Sequence, residues 1–256
     1  MSSTERGSLP ALFLFDDSDK LSAMTRRRWI ADEYEGDGAA LTGQNAAHLA
    51  RVLRARVGQE FDIAVGDRVR RGRITSVAED RVDFALGEDL AIGEAQPITL
   101  CLAVFKFDRF EWAVEKCTEI GVAKIVPVIA RRTEPHLAKA ATKRRERWEK
   151  IAREAAQQSR RSSVPEIAEP VKLKIGIASS PGLRIVLAEN ERQVMLRDVV
   201  APEPLALAVG PEGGWTPEEL EEFDTQGWKR ASLGETILRA ETAAIAAVAV
   251  ATAFGE

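Results

Sequence analysis

Cysteine and histidine are scarce here, with two of each in 256 residues. Cys101 and Cys117 form no CxxC pair, so the sequence points to neither a disulfide framework nor a zinc site. His48 and His136 lie far apart, and no metal centre is expected. Long apolar runs are missing too. Leu12–Phe15 is too short for a signal-peptide core, and the apolar stretch from Arg239 to Phe254 falls short of the roughly 20 residues that span a bilayer. The expectation is a cytoplasmic protein with no membrane partner. A basic excess is also lacking: 36 Lys and Arg face 40 Asp and Glu, a net charge of −4. That argues against a protein that coats nucleic acid without specificity.

The basic residues that are present come in clusters: Arg26-Arg27-Arg28, Arg51/Arg54/Arg56, Arg68/Arg70/Arg71/Arg73, Lys143-Arg144-Arg145 and Arg160-Arg161. Each cluster alone reads as a solvated face, while together they make a local phosphate-binding surface a reasonable expectation.

Texture divides the chain. Residues 1–24 read as an N-terminal extension. Residues 25–95 read as a small β-barrel domain, with strands at Glu60–Val65, Val69–Val77 and Val82–Leu86 parted by Gly66-Asp67 and Asp80-Arg81 turns. One helix is expected there, Gln44–Ala55, with His48, Leu49, Val52 and Leu53 on one face. Gly87–Pro97 suits a linker. From residue 96 to 256 the rhythm alternates between strand and helix, the pattern of an α/β domain with a mostly parallel sheet. Ile98–Val104, Ile125–Ile129, Arg184–Ala188, Leu205–Val209 and Arg230–Leu233 are the expected strands. Helices are expected after an Asp108-to-Glu111 capping box, over Lys143–Ser159, and over Arg239–Phe254, the last apolar nearly all round.

Two glycine loops carry the chemistry. Leu205–Val209 runs into Gly210-Pro211-Glu212-Gly213-Gly214, then into a helix with Thr216 and Glu219 at capping-box spacing and Pro217 at the first position. Glycines at the carboxyl end of a parallel strand let a ligand approach the backbone closely. The spacing matches neither GxGxxG nor GxxxxGK[ST], which weakens dinucleotide and triphosphate readings. The second loop, Leu233-Gly234-Glu235-Thr236-Ile237-Leu238, delivers Arg239 and Glu241 to the start of the last helix. Glu241 there gains from the helix dipole. An arginine beside a buried helix start calls for an anionic or carbonyl partner, which marks Arg239 as functional.

These motifs resemble the SPOUT (trefoil-knot) methyltransferases, and within them the ribosomal RNA small-subunit methyltransferase E family. The resemblance rests on Ala47–Arg54, Phe110-Glu111-Trp112, Lys116–Val122, Trp148 to Glu166, Gly210–Gly214 and Leu233–Thr242, in the family's order from about residue 25 to the C-terminus. It implies an α/β knot domain behind a PUA-like β-barrel that helps hold RNA. It also implies a homodimer through the C-terminal domain, and methyl transfer from S-adenosylmethionine to N3 of a uracil in 16S rRNA or the small ribosomal subunit. Carried over by residue, the cofactor would be held by Val209, Gly210, Pro211, Glu212, Gly213, Gly214, Leu233, Gly234, Ile237 and Leu238. Arg239 and Arg161 are the candidate donors to charge developing on the base, and Glu241 is the candidate general base. His48, Arg51, Arg54, Lys106 and Arg109 are the candidate RNA contacts. Two departures stand out. Arg160-Arg161 replaces the family's Gly-Arg step, and Glu235-Thr236 replaces a Pro-Arg pair common after Leu-Gly.

Competing readings are a SPOUT enzyme acting on another RNA (a ribose 2′-O methyltransferase), a non-catalytic RNA-binding factor of ribosome assembly, and a small-molecule α/β enzyme that uses the glycine loop for phosphate.

Overall fold

The computed structural model describes residues 28–66, 68–90, 97–159 and 161–254. The expected extension over residues 1–24, most of the linker, the boundary at 95/96 and Arg160 lie outside them.

Among the described residues the N-terminal part is a six-stranded sheet. Its strands are β1 (Arg28–Ile30), β2 (Glu33–Glu35), β3 (Gly38–Thr42), β4 (Glu60–Val65), β5 (Arg68–Val77) and β6 (Arg81–Leu90), in the order β1-β4-β5-β6-β3-β2. Only β1 and β4 run parallel. Val82, Phe84 and Leu86 are buried at every second position of β6, the period-two pattern that turns one sheet face inward. With Leu41, Ile63 and Ile74 they form a small separate core.

The expected helix over Gln44–Ala55 is shorter and irregular. It begins as α1 (Gly43–Ala47), widens into a π turn over His48–Val52, and stops at Arg54, which takes a positive φ of 53°. Leu49 is fully buried, but Val52 and Leu53 face solvent at 66% and 36% exposure. The wider turn rotates later side chains away from the face that a regular helix would have given them.

The C-terminal part forms a second sheet, of seven strands, all parallel. In chain order come β7 (Ile98–Ala103), α2 (Phe107–Ile120), β8 (Lys124–Ile129), α3 (Pro135–Gln158), β9 (Glu166–Ile167), β10 (Val171–Lys172), α4 (Leu173–Ala178), β11 (Leu183–Leu187), α5 (Leu196–Val199), β12 (Leu205–Val209), α6 (Pro217–Thr225), β13 (Lys229–Ala231) and α7 (Ala240–Phe254). The sheet order is β10-β8-β7-β12-β11-β13, with β9 beside β8. β12 is buried along its whole length. Its Leu205, Leu207 and Val209 pack with α2, α3 and α7, while Ala206 and Ala208 pack with α4 and α6. Burial on both faces is why the strand reads as one uninterrupted apolar run.

Two helix expectations change. No capping box forms at Asp108: Lys106 is the N-cap and gives no side-chain cap. Glu111 turns instead to Arg147 at 2.8 Å and Arg144 at 3.3 Å, tying α2 to α3. α3 also starts earlier than Lys143, at Pro135, whose missing N–H and fixed φ suit the first turn. Its Trp148 is fully buried with its ring 4.5 Å from that of Phe110. α7 buries a stripe of Ala240, Glu241, Ala244, Ala247, Val248 and Ala251, while Thr242, Ala249 and Phe254 are exposed. The described residues therefore leave Ala249 and Phe254 of this helix uncovered. Both cysteines are fully buried, and burial pushes their thiols up, Cys101 to about 11 and Cys117 to about 12.

Candidate active site

Strands β12, β11 and β13 lie side by side, so the loops leaving their carboxyl ends meet. They enclose a cleft of about 480 Å3. Open parallel sheets bind ligands at such a place, because backbone donors and acceptors there are not committed to the sheet. All ten residues expected to hold a cofactor, Val209–Gly214, Leu233, Gly234, Ile237 and Leu238, line this cleft.

The first loop is braced from several sides. Thr216 Oγ1 accepts from the Glu219 N–H at 3.3 Å, and Glu219 Oε2 accepts from the Thr216 N–H at 2.9 Å, completing the capping box. The other Glu219 oxygen accepts from the Arg131 N–H at 2.8 Å, which fastens α6 to the chain leaving β8. Arg132 donates to the carbonyl of Gly213 and, at 3.4 Å, to that of Trp215. Arg109 donates to Glu212 at 2.8 Å. Gly214 sits at φ 69°, where a side chain would be strained, and a Cβ on Gly210 would stand 3.3 Å from the Trp215 ring.

The second loop is more open. Ser232 is tied to the Val194 carbonyl at 2.9 Å, and Arg192 reaches the Glu235 carbonyl at 3.5 Å. Gly234 has φ 139°, and Glu235, Thr236 and Ile237 are exposed, Ile237 at 77%.

The sequence reading missed the third wall. Leu187-Ala188-Glu189-Asn190, at the end of β11, lines the cleft, and the Glu189 carboxylate lies against Gly214. No glycine or capping pattern marks that segment. Its one available signal was position, as the end of a strand running parallel to β12. Arg132 and Arg192 also line the cleft.

The candidate catalytic residues do not converge. Arg239 is exposed, and its side chain forms no hydrogen bond or ion pair among the described residues, so the burial argument for it fails. It stands immediately before α7, at the end of the second loop. Glu241 is buried and is not among the residues lining the cleft; one of its oxygens has no partner among the described residues. Arg161 points elsewhere. Its guanidinium donates to the Thr118 and Val122 carbonyls at 2.9 and 2.6 Å, closing the end of α2, and burial lowers its pKa. It is an arginine spent on a helix terminus.

Of the candidate RNA contacts, His48, Arg51 and Arg54 gather around the π turn and are exposed. Arg51 pairs with Glu79, and the His48 ring lies 6.1 Å from that of Trp29. Lys106 is exposed at the N-cap of α2. Arg109, one turn on, is engaged by Glu212 and lies 3.8 Å from Glu241. No group of His, Cys, Asp and Glu suited to a metal occurs among the described residues.

Comparison with known proteins identifies the family. Residues 93–252 match the RNA methyltransferase domain model and residues 41–86 the RNA methyltransferase PUA domain model. The ribosomal RNA small subunit methyltransferase E of Synechocystis is 32% identical over 224 residues, covering 84% of this chain and 73% of that one. Its counterpart in Bacillus subtilis is 30% identical over 82% of this chain and 87% of its own. The crystal structure of the Neisseria gonorrhoeae enzyme of that name, bound to S-adenosyl methionine, superposes with a TM-score of 0.77 at 28% identity, covering 88% of this chain and 95% of that one. The fold class is the expected one, an α/β knot domain with a small PUA-like barrel before it. The chain belongs to the ribosomal RNA small subunit methyltransferase E family.

Proposed function

We propose that this chain transfers a methyl group from S-adenosylmethionine to N3 of one uridine in the 16S rRNA of the small ribosomal subunit. The observation that carries this reading is the cleft at the ends of β11, β12 and β13, walled by the glycine loops the family shares. The residues present fit the cofactor. Gly210, Gly213 and Gly214 offer backbone without side-chain bulk. The wall is mixed in charge, with Glu189, Glu212 and Glu235 against Arg132 and Arg192, which suits a ligand carrying a sulfonium, an ammonium and a carboxylate.

S-adenosylmethionine would supply an electrophilic methyl group and leave as a neutral thioether, and the N3 proton would pass to solvent water. The chain's part is positioning and charge stabilisation. Loop backbone from Val209 to Gly214 and from Leu233 to Leu238 fixes the cofactor, with the half-buried Leu238 against it. Arg239 is the donor available to the uracil carbonyl oxygens as N3 becomes anionic, because its exposed side chain has no partner among the described residues and stands between the cleft-lining Leu238 and Ala240. Arg161 supports α2 and takes no part in this reading. His48, Arg51, Arg54 and Lys106 are the phosphate contacts.

The chain divides in this reading into a PUA-like domain over residues 25–95 and a methyltransferase domain over 96–256, each holding one of the two described sheets, and acts as a homodimer in the cytoplasm. The uncovered Ala249 and Phe254 of α7, with Trp112 on the neighbouring α2, form the surface proposed to pair. Ala249→Asp should yield monomers in sedimentation; a dimer would reject that surface. No described helix is long and apolar enough to cross a membrane.

Mass spectrometry of 16S rRNA tests the main reading. A strain lacking the gene should lose one N3-methyluridine, and the wild-type chain should restore it. Restoration of a ribose 2′-O-methyl group instead, or of nothing, would replace the proposal.

A further inference from the structure

Arg109 faces two carboxylates from separate parts of the chain. Its Nη1 donates to Glu212 Oε1 at 2.8 Å, and its Nε lies 3.8 Å from Glu241 Oε1. Glu212 belongs to the first glycine loop, and Glu241 lies in the first turn of α7, to which the second loop leads. We propose that Arg109 is a positioning residue for the cofactor, holding the first glycine loop against the start of α7, and that Glu241 serves by holding Arg109 rather than by taking a proton. This inference rests on the reading of the cleft as the S-adenosylmethionine site.

Burial gives the first argument. The Glu241 side chain is 4% exposed, it does not line the cleft, and its Oε2 meets no partner among the described residues. A carboxylate so placed is held by what faces it, a cation or a helix start. Arg109 and the start of α7 are those two features. A base that takes the N3 proton must instead reach the reacting base, which a carboxylate buried behind the cleft wall does not, whereas the exposed Arg239 side chain can.

Anchorage gives the second. The residue after Arg109 is Phe110, fully buried against Trp148, so the first turn of α2 is fixed in the core. A guanidinium on that turn is a firm post, and the half-exposed Glu212 is the movable end of the pair. Arg132 takes the Gly213 carbonyl from another element, so the loop is gripped at adjacent residues. A cofactor held by loop backbone depends on the path of that backbone, and the grip on Glu212 sets it. The same geometry withdraws Arg109 from the RNA contacts, since two carboxylates already face its charge.

Calorimetry with S-adenosylmethionine and steady-state methylation of small subunits lacking the modification test the proposal, using R109A, R109K, E212Q, E241Q and R109A/E241Q in the full chain. R109A should weaken cofactor binding about tenfold, as loss of a charge-assisted hydrogen bond does, with kcat within about twofold once the cofactor saturates. R109K should recover part of the loss. E241Q should raise the cofactor KM in the same direction, and the double variant should be no weaker than R109A alone. E212Q, at a half-exposed site, should weaken the cofactor too and guards against misfolding of the α2 variants. The salt dependence of RNA binding should not change in R109A. Wild-type cofactor affinity in both R109A and E212Q overturns the proposal while leaving the cleft assignment intact. So does a large fall in kcat for E241Q at unchanged cofactor affinity, which would make Glu241 the base. A wild-type chain that binds no S-adenosylmethionine overturns the proposal and the cleft assignment together.

Discussion

The two glycine loops face one cleft but are built in opposite ways. Val209–Gly214 leaves a fully buried strand, runs into a capped helix that Glu219 ties to the chain after β8, and is gripped by Arg109 from α2 and by Arg132. Leu233–Leu238 leaves a three-residue strand, exposes Glu235, Thr236 and Ile237, and is tied through Ser232 and one contact from Arg192 at 3.5 Å. One side of the cleft is preformed, and the other has few bonds to hold it. Binding to such a site spends free energy on ordering the open side, so the first loop sets whether a ligand binds and the second tunes how tightly.

Bulk in the first loop is the strongest way to break that comparison. Gly213→Trp places an indole in the cleft beside Arg132, whose Cδ already stands 3.2 Å from where a Cβ would be. Cofactor binding should be lost, a weakening of at least about a hundredfold (some 2.7 kcal/mol) by calorimetry. Ile237→Trp in the second loop points from a 77% exposed position and should cost less than about tenfold. Equal losses in the two variants would erase the distinction.

The same asymmetry governs what could be read from the amino acids. The first loop was legible because its determinants are local: an apolar strand, three glycines, and Thr216 three residues before Glu219. Its tertiary grips were not, since Arg109 is 103 residues from Glu212 and Arg132 is 81 from Gly213. Asp108 and Glu111 have the spacing of Thr216 and Glu219, yet only the second pair forms a capping box. Spacing offers a carboxylate to the helix start, but Arg144 and Arg147 outbid it for Glu111. The short strands β9 and β10, of two residues each, have no period to detect. Burial at Arg239 was inferred from an apolar helix that turns out to cover one face only.

Glu219 offers a smaller and more selective break. Its two oxygens satisfy the Thr216 and Arg131 N–H groups, and its side chain is 5% exposed. Glu219→Ala leaves both donors without a partner, a loss of about 2 kcal/mol. For a chain of this size the melting temperature should fall by about 4–8 °C, and cofactor affinity should fall with it because the first loop is freed. Thr236→Ala, at an exposed position in the second loop, should stay within about 0.5 kcal/mol of wild type. A Glu219→Ala protein that melts normally would show that the first loop is held by Arg109 and Arg132 alone.

The smallest expected effect runs in the favourable direction. The family resemblance implies Pro-Arg where this chain has Glu235-Thr236, and two local features favour the change. The Glu235 N–H makes no backbone hydrogen bond among the described residues, and Gly234 before it has the freedom a residue preceding proline needs. The Glu235 carbonyl that Arg192 reaches is retained by proline. Fixing φ at one position removes about 0.4–1 kcal/mol of chain entropy. If the second loop is ordered by the cofactor, E235P/T236R should bind S-adenosylmethionine about two- to fivefold more tightly, chiefly through slower release. G213W should not be rescued by it, because no ordering of the second loop makes room in the first. Unchanged or weaker binding in E235P/T236R would mean that the second loop is already fixed before the cofactor arrives, and that both walls of the cleft are preformed.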